Sequence, residues 1–95
     1  MAAKIIWSPQ VIEDVNEICK YIAKDSPSYA FIFAQTIVSA IEDIALFPYS
    51  GRTIPEEKDE KIREKIVGNY RVIYRIKNGA IQLVTIIHGA RILKI

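Results

Sequence analysis

Apolar residues recur with two different periods along the chain. Val11, Val15, Ile18 and Ile22 are separated by four, three and four residues, which is the spacing of one face of a helix. A second stripe with helical spacing runs from Ala30 to Ile44. In the last third, β-branched residues fill short runs bounded by Gly-Asn and Asn-Gly dipeptides, which is typical of strands joined by tight turns. The pattern predicts two helices followed by a β-sheet.

Both predicted helices have clear start signals. Ser8-Pro9 and Ser26-Pro27 each offer a hydroxyl N-cap followed by a proline at the first helical position. Phe47-Pro48 ends the second helix, because a proline disfavours the helical conformation in the residue before it. Since the link between the helices is short, we expect an antiparallel helical hairpin. Lys4–Trp7, just before it, is predicted to form a short first strand.

A polar connection leads from the helices to the predicted sheet. It covers Tyr49–Glu60, and we expect Arg52 and Glu56 to form an ion pair within it. Three strands follow, over residues 61–67, 70–77 and 80–88. Asn78-Gly79, between the last two strands, is a strong signal for a two-residue hairpin turn.

The Asn78-Gly79 turn fixes the pairing of the last two strands. It pairs Ile76 with Ile81, Tyr74 with Leu83, Val72 with Thr85 and Tyr70 with Ile87. These residues make one strongly apolar face, on which the helices should pack. The opposite, outer face then carries Arg71, Ile73, Arg75, Gln82, Val84 and Ile86, with His88 at its end.

Two registers are open for the hairpin around Gly68-Asn69. If these two residues alone form the loop, Arg63 and Lys65 point into the core, which is costly. A three-residue loop that includes Val67 reverses the two faces of the strand. The cost of burying two cations favours the three-residue loop, which leaves Glu64 as the one polar residue of the strand that points inward. The resulting outer face is strongly basic and holds Lys61, Arg63, Lys65, Arg71 and Arg75.

Composition limits the classes of function. Ninety-five residues with 51% hydrophobic content suit one domain over residues 1–95. A net charge of +2 is too small to indicate nucleic-acid binding by itself. One cysteine, Cys19, allows no internal disulfide, and one histidine with one cysteine falls short of the usual zinc ligand set. With no apolar run near ~20 residues and no secretory signal, we expect a cytoplasmic protein without metal, cofactor or membrane contact.

The order of the elements resembles the RelE/ParE superfamily of type II toxins, closest to its ParE-like members. The resemblance rests on the following residues and segments: Trp7, 21–27, 47–52 with Pro55-Glu56, Ile62-Arg63-Glu64, 68–76 and 88–91. It implies an α/β (α+β) fold of order β-α-α-β-β-β, in which an antiparallel helical hairpin packs on a mainly antiparallel sheet. It also implies a toxin that is neutralised by direct binding of a cognate antitoxin, ParD-like or other.

The superfamily holds two activities. RelE-like members are ribosome-dependent mRNA endonucleases, whereas ParE-like members poison DNA gyrase. By resemblance, Arg71 and Arg91 match the two arginines of the nuclease, Lys61 and Arg63 could stand for its lysine pair, and His88 would be the acid–base residue. However, Ile92–Ile95 contains no tyrosine or histidine of the kind that RelE-like nucleases carry near the C-terminus.

The resemblance therefore favours a ParE-like toxin directed at DNA gyrase, and not an enzyme. The alternatives are an mRNA endoribonuclease that uses Arg71, His88 and Arg91, acting at the ribosome, and a member that only binds its antitoxin. Direct reading of DNA is not expected. The candidate residues for antitoxin or target binding are Lys61, Arg63, Lys65, Arg71, Ile73, Arg75, Val84, Ile86, His88 and Arg91.

Overall fold

Two helices cover one face of a five-stranded sheet in the computed structural model, which describes residues 2–91 and 93. In chain order the elements are β1 (Lys4–Ile6), α1 (Pro9–Ala23), α2 (Pro27–Leu46), β2 (Arg52–Thr53), β3 (Ile62–Val67), β4 (Tyr70–Lys77) and β5 (Ala80–His88). The strand order is β1-β5-β4-β3-β2, with β1 parallel to β5 and the other pairs antiparallel. The predicted fold is confirmed, and β2 is an additional short edge strand.

The helix starts are also confirmed. The Ser8 hydroxyl accepts the N–H of Val11 at 3.1 Å, and the Ser26 hydroxyl accepts the N–H of Tyr29 at 3.2 Å. Each serine is followed by a proline inside the first turn. These caps supply partners for N–H groups that have none within the helix.

Helix α2 corrects one expectation from the sequence. Its 20 residues are long and apolar enough to cross a membrane by length and composition, with a mean hydropathy of 1.4 in its most apolar window. In the fold, Ile37, Ile41 and Ile44 are buried against the sheet, in the main core. Only 33% of that window is buried, and Phe31, Ile32 and Val38 are 65%, 52% and 47% exposed, so one side of α2 packs on the sheet while other apolar residues of the helix face solvent.

The β4–β5 hairpin has the predicted turn but not the predicted pairing throughout. Asn78 (φ +53°) and Gly79 (φ +73°) both take the left-handed conformation that a tight hairpin turn requires. Tyr74 pairs with Leu83 as predicted, but an irregularity between Ile73 and Tyr74 shifts the remaining partners by one residue. Val72 pairs with Ile86 instead of Thr85, and Tyr70 pairs with His88 instead of Ile87. Beyond this bulge, the two faces of β5 are exchanged.

The predicted three-residue loop between β3 and β4 is wrong. Val67 pairs directly with Tyr70, so Gly68 and Asn69 alone form the turn, and Gly68 adopts a φ of +59°. Arg63 and Lys65 consequently share the helix-covered face with Tyr74 and Val72, their partners across the ladder. The cost of burying two cations did not decide the register, because the side chains of Arg63 and Lys65 are only half-buried in this arrangement.

A second, smaller core lies on the outer face, which is the face of the sheet turned away from the helices. It contains Ile54 from the connection after β2, Ile62 and Ile73 from the strands, and Leu93 from the segment after β5. All four are at most 7% exposed. The outer face is therefore partly covered by the chain itself.

Candidate functional site

The predicted basic outer face does not form. Its expected members Arg63 and Lys65 lie on the other side of the sheet, and Lys61 precedes β3 in an exposed position. Arg71 and Arg75 do share the outer face, where they pair across the ladder with Ile66 and Ile62. The one-residue difference in register thus divides the expected cationic row between two surfaces.

Arg71 lies at the centre of a partly buried ion-pair network. Its Nη1 and Nη2 donate to the two oxygens of Glu56, each at 2.9 Å, in a bidentate arrangement. Its Nε donates to Glu64, which also accepts the Nε of Arg52. The side chains of Arg71 and Glu64 are 7% and 0% exposed, respectively. The predicted pair of Arg52 with Glu56 is therefore wrong, because each residue has a different partner.

The network also holds the segment that follows β5. Nη1 of Arg71 donates to the backbone carbonyl of Arg91 at 3.1 Å, and Glu56 accepts the N–H of Leu93 at 2.9 Å. Hydrogen bonds from Arg71, and then from Leu93, lower the pKa of Glu56 from 4.5 to about 2. The hydrogen bond to Glu56 is in turn the main cause that raises the pKa of Arg71. Two arginines and two glutamates are arranged so that their charges balance.

His88 lies apart from this network, on the helix-covered face. Its ring contacts that of Tyr70 edge-on at 5.7 Å, and Tyr70 in turn contacts Phe33 of α2. The Nδ1 of His88 accepts the N–H of Ala90 at 3.2 Å. The prediction that His88 shares a face with the outer arginines is wrong, because the β5 bulge turns it toward the helices.

A cleft of about 560 Å³ lies beside His88, between α1 and the end of β5. Glu17, Tyr21 and Arg91 line it with His88. Arg71 is not among the residues that line this cleft. The fold therefore places His88 and Arg91 together in this cleft, whereas Arg71 meets Arg91 in a separate cleft of about 470 Å³ that His88 does not line.

The apolar candidates for partner binding differ in accessibility. Ile73 and Ile86 are 0% and 3% exposed, and Ile86 lies in the core under the helices instead of on the outer face. Val84 is half-buried against the outer core. Arg75 is half-buried and Arg91 is exposed. Of this set, the isoleucines have no surface to offer a partner in this fold.

An accessible surface with apolar lining is found instead in a groove between α2 and β3, here called the α2–β3 groove. It consists of two adjoining depressions of about 510 and 300 Å³ that share Ile32, Thr36, Val67 and Gly68. Tyr29, Ile32 and Ile66, which line it, are 67%, 52% and 49% exposed. In the described part of the chain, β2 pairs only with Arg63 and Glu64, so the edge of β3 is open along the groove from Lys65 to Val67.

Sequence reasoning missed one further cluster, around Tyr49. The Nζ of Lys61 and the Cζ of Arg63 lie 5.1 and 4.8 Å from the centre of its ring. No local pattern brings residue 49 to residues 61 and 63, since their proximity depends on the β3 register. Among residues 2–91 and 93, no group of three or more His, Cys, Asp or Glu side chains is placed to hold a metal ion.

Comparison with known proteins agrees with this architecture. The chain is 28% identical over 90 residues to Toxin RelE2 of Caulobacter vibrioides, with 95% of this chain and 99% of that protein covered. The chromosomal ParDE toxin–antitoxin system from P. aeruginosa shares the fold at a TM-score of 0.75 and 19% identity, over 92% of this chain and 96% of that one.

The RelBE2 toxin–antitoxin complex from Mycobacterium tuberculosis also shares the fold, at a TM-score of 0.63 and 16% identity, over 93% and 99% of the two chains. The sequence profile of the family described as "ParE toxin of type II toxin-antitoxin system, parDE" matches residues 5–93. This match extends from β1 to the segment after β5. The chain belongs to the ParE toxin family of type II toxin–antitoxin systems, within the RelE/ParE superfamily.

Proposed function

We propose that this toxin arrests growth by binding and poisoning DNA gyrase in the cytoplasm, without catalysing a reaction of its own. A cognate antitoxin, ParD-like or of another class, neutralises it by direct binding. Gyrase is the target implied by the resemblance to ParE-like members. The observation that carries the choice over RNA cleavage is the state of Arg71.

An arginine that assists RNA cleavage must offer N–H groups to the phosphate as negative charge develops on it. Most of the five N–H groups of Arg71 already donate to Glu56, Glu64 and the carbonyl of Arg91. A phosphate would have to displace two carboxylates from a buried guanidinium. Arg71 is thereby suited to holding the fold together, and its charge is not available to a phosphate.

The alternative is a ribosome-dependent endoribonuclease, and one observation favours it. His88 and Arg91 line the same cleft beside α1, together with Glu17. An acid–base residue, a cation and a carboxylate in one cleft are parts that RNA cleavage can use. Such a nuclease would have to work without Arg71.

The deciding experiment uses the purified toxin in two parallel assays. One measures DNA supercoiling by gyrase and the accumulation of cleaved DNA–gyrase complexes. The other follows mRNA on programmed ribosomes. Inhibited supercoiling with intact mRNA is the expected result. Codon-positioned mRNA cuts with unaffected gyrase would overturn the proposal, and His88→Gln should then abolish the cutting.

We further propose that the antitoxin neutralises the toxin by placing an extended segment in the α2–β3 groove. Tyr29, Ile32 and Ile66 offer contact area for apolar side chains of that segment. The open edge of β3 offers backbone groups for strand addition, which is a common way to bind an extended peptide. This surface replaces the one around Ile73 and Ile86, which the fold itself buries.

A further inference from the structure

The last residue of α2 and the loop that follows it present large apolar side chains to solvent. Leu46, Phe47 and Tyr49 are 54%, 67% and 52% exposed, although they occupy three of four consecutive positions. Side chains of this kind contribute little to the core when they are so exposed. Exposed apolar clusters on soluble proteins often mark contact surfaces.

This loop is held firmly from beneath. Tyr74, which is 0% exposed, donates its hydroxyl to the carbonyl of Pro48 at 2.6 Å and accepts the N–H of Gly51 at 3.1 Å. Nη1 of Arg63 donates to the carbonyls of Tyr49 and Gly51 at 3.2 and 2.8 Å. All these bonds use loop backbone, so the exposed side chains of Phe47 and Tyr49 are displayed on a fixed support.

Two cations surround the exposed aromatic ring. Lys61 and Arg63 both lie within cation–π distance of Tyr49, and the Nζ of Lys61 also donates to its hydroxyl. Among the described residues, neither cation has a carboxylate within 4.0 Å, whereas Arg52 and Arg71 do. The charge at this position is therefore not neutralised by any carboxylate of residues 2–91 and 93.

We infer that Phe47, Tyr49, Lys61 and Arg63 form the docking surface for the protein that the toxin poisons. The inference rests on the proposed function, whose target is a protein. The surface fits a folded protein with an apolar patch beside carboxylates, because a rigid aromatic and cationic cluster binds with little ordering cost. The antitoxin segment suits the groove and the open edge of β3 instead. A nucleic acid is a poorer match, because cations already lie over the ring on which a base would stack.

The test compares matched variants of the full-length toxin. Phe47→Ser is paired with Phe31→Ser, because Phe31 of α2 is 65% exposed and lies outside both surfaces. Lys61→Glu is paired with Lys58→Glu, which makes the same charge change at another exposed lysine. Growth after induced expression is the first readout, and antitoxin affinity and thermal unfolding show that each variant is folded.

Phe47→Ser and Lys61→Glu should relieve growth arrest and raise the toxin concentration for half-inhibition of gyrase at least tenfold, with unchanged antitoxin affinity. Phe31→Ser and Lys58→Glu should change the toxin concentration for half-inhibition of gyrase less than threefold. Arrest of wild-type strength by folded Phe47→Ser and Lys61→Glu would overturn the inference. If Phe47→Ser and Lys61→Glu relieve growth arrest in cells but the wild-type toxin does not inhibit gyrase in the purified assay, the result would support this surface and reject gyrase as the target. Variants that lose mRNA cutting at the ribosome would overturn it in favour of a nucleic-acid contact.

Discussion

Glu56 and Arg71 form a bidentate ion pair that joins the loop after β2 to β4 on the outer face of the sheet. The same carboxylate accepts the N–H of Leu93, and the same guanidinium donates to the carbonyl of Arg91. Leu93 can therefore pack with Ile54 and Ile73 in the smaller core. One ion pair thus supports both the fold of the outer face and the position of the segment after β5.

This pair predicts a specific loss of stability in acid. The pKa of Glu56 falls to about 2 in the folded protein from an ordinary value of 4.5. Because the folded pKa is the lower one, its contribution to the free energy of unfolding is complete above about pH 4.5 and is lost as the pH falls toward 2. Urea unfolding at pH 6, 4, 3 and 2 should show a shallower pH dependence for Glu56→Gln than for the wild type.

Glu13→Gln is the control, because it removes the same charge from an exposed position of α1. It should retain the wild-type dependence below pH 4.5. Equal pH dependence of Glu56→Gln and wild type would contradict the role assigned to the pair.

The hydroxyl of Tyr74 predicts a second effect on stability. Tyr74→Phe leaves the Gly51 N–H and the Pro48 carbonyl without this partner in a buried place, which should cost about 1–3 kcal/mol of unfolding free energy. Gly51→Ala should also destabilise, because a Cβ there would overlap the Tyr74 hydroxyl and lie 2.7 Å from the carbonyl of Glu64. Urea unfolding of both variants measures these losses.

The double variant separates the two contributions. Gly51→Ala should cost less in the Tyr74→Phe background than in the wild type, because the hydroxyl no longer occupies the site of the new Cβ. A remainder should persist from the contact with the carbonyl of Glu64. Strictly additive effects would show that the hydroxyl and Cβ do not compete for the same space.

Local signals in the sequence predicted the elements well. Each serine followed by a proline correctly predicted a helix start. Asn78-Gly79 correctly predicted a hairpin turn, and both residues have the positive φ that such a turn requires. Each of these signals lies within a few residues of the feature it specifies. The order of the elements, and with it the family, could therefore be predicted.

The faces of the sheet could not be predicted from such signals. The β5 bulge inserts one residue after Leu83 and so moves Ile86 to the core and Ile87 to the outer face. Glu64 violates the simple burial rule, since it is buried and yet compensated by Arg52 and Arg71. Its partners lie 12 and 7 residues away on two other strands, so the network and the candidate surfaces could be identified only from the three-dimensional arrangement.

Asp14 of α1 is hydrogen-bonded to β5, and we predict that this contact stabilises the packing of the helix on the sheet. Its Oδ2 accepts the hydroxyl of Thr85 at 2.7 Å and the N–H of Ile86 at 2.9 Å. Asp14→Ala should lower the unfolding free energy by about 2 kcal/mol, since the Ile86 N–H loses its partner. Asp14→Asn retains an acceptor oxygen and should lose less. Unfolding by urea, with amide exchange at Ile86, measures both; unchanged exchange in Asp14→Ala would contradict this contact.

The antitoxin surface can be tested with substitutions at two exposed apolar residues of α2, Ile32 and Val38. Ile32 lines both depressions of the α2–β3 groove, whereas Val38 lines neither, and they are 52% and 47% exposed. Ile32→Asp puts a charge where an apolar anchor should bind, so calorimetric titration should show at least tenfold weaker antitoxin binding, or about 1.4 kcal/mol. Val38→Asp should change the affinity less than threefold, because its charge stays in solvent. Equal affinities of the two folded variants would exclude the groove as the antitoxin site.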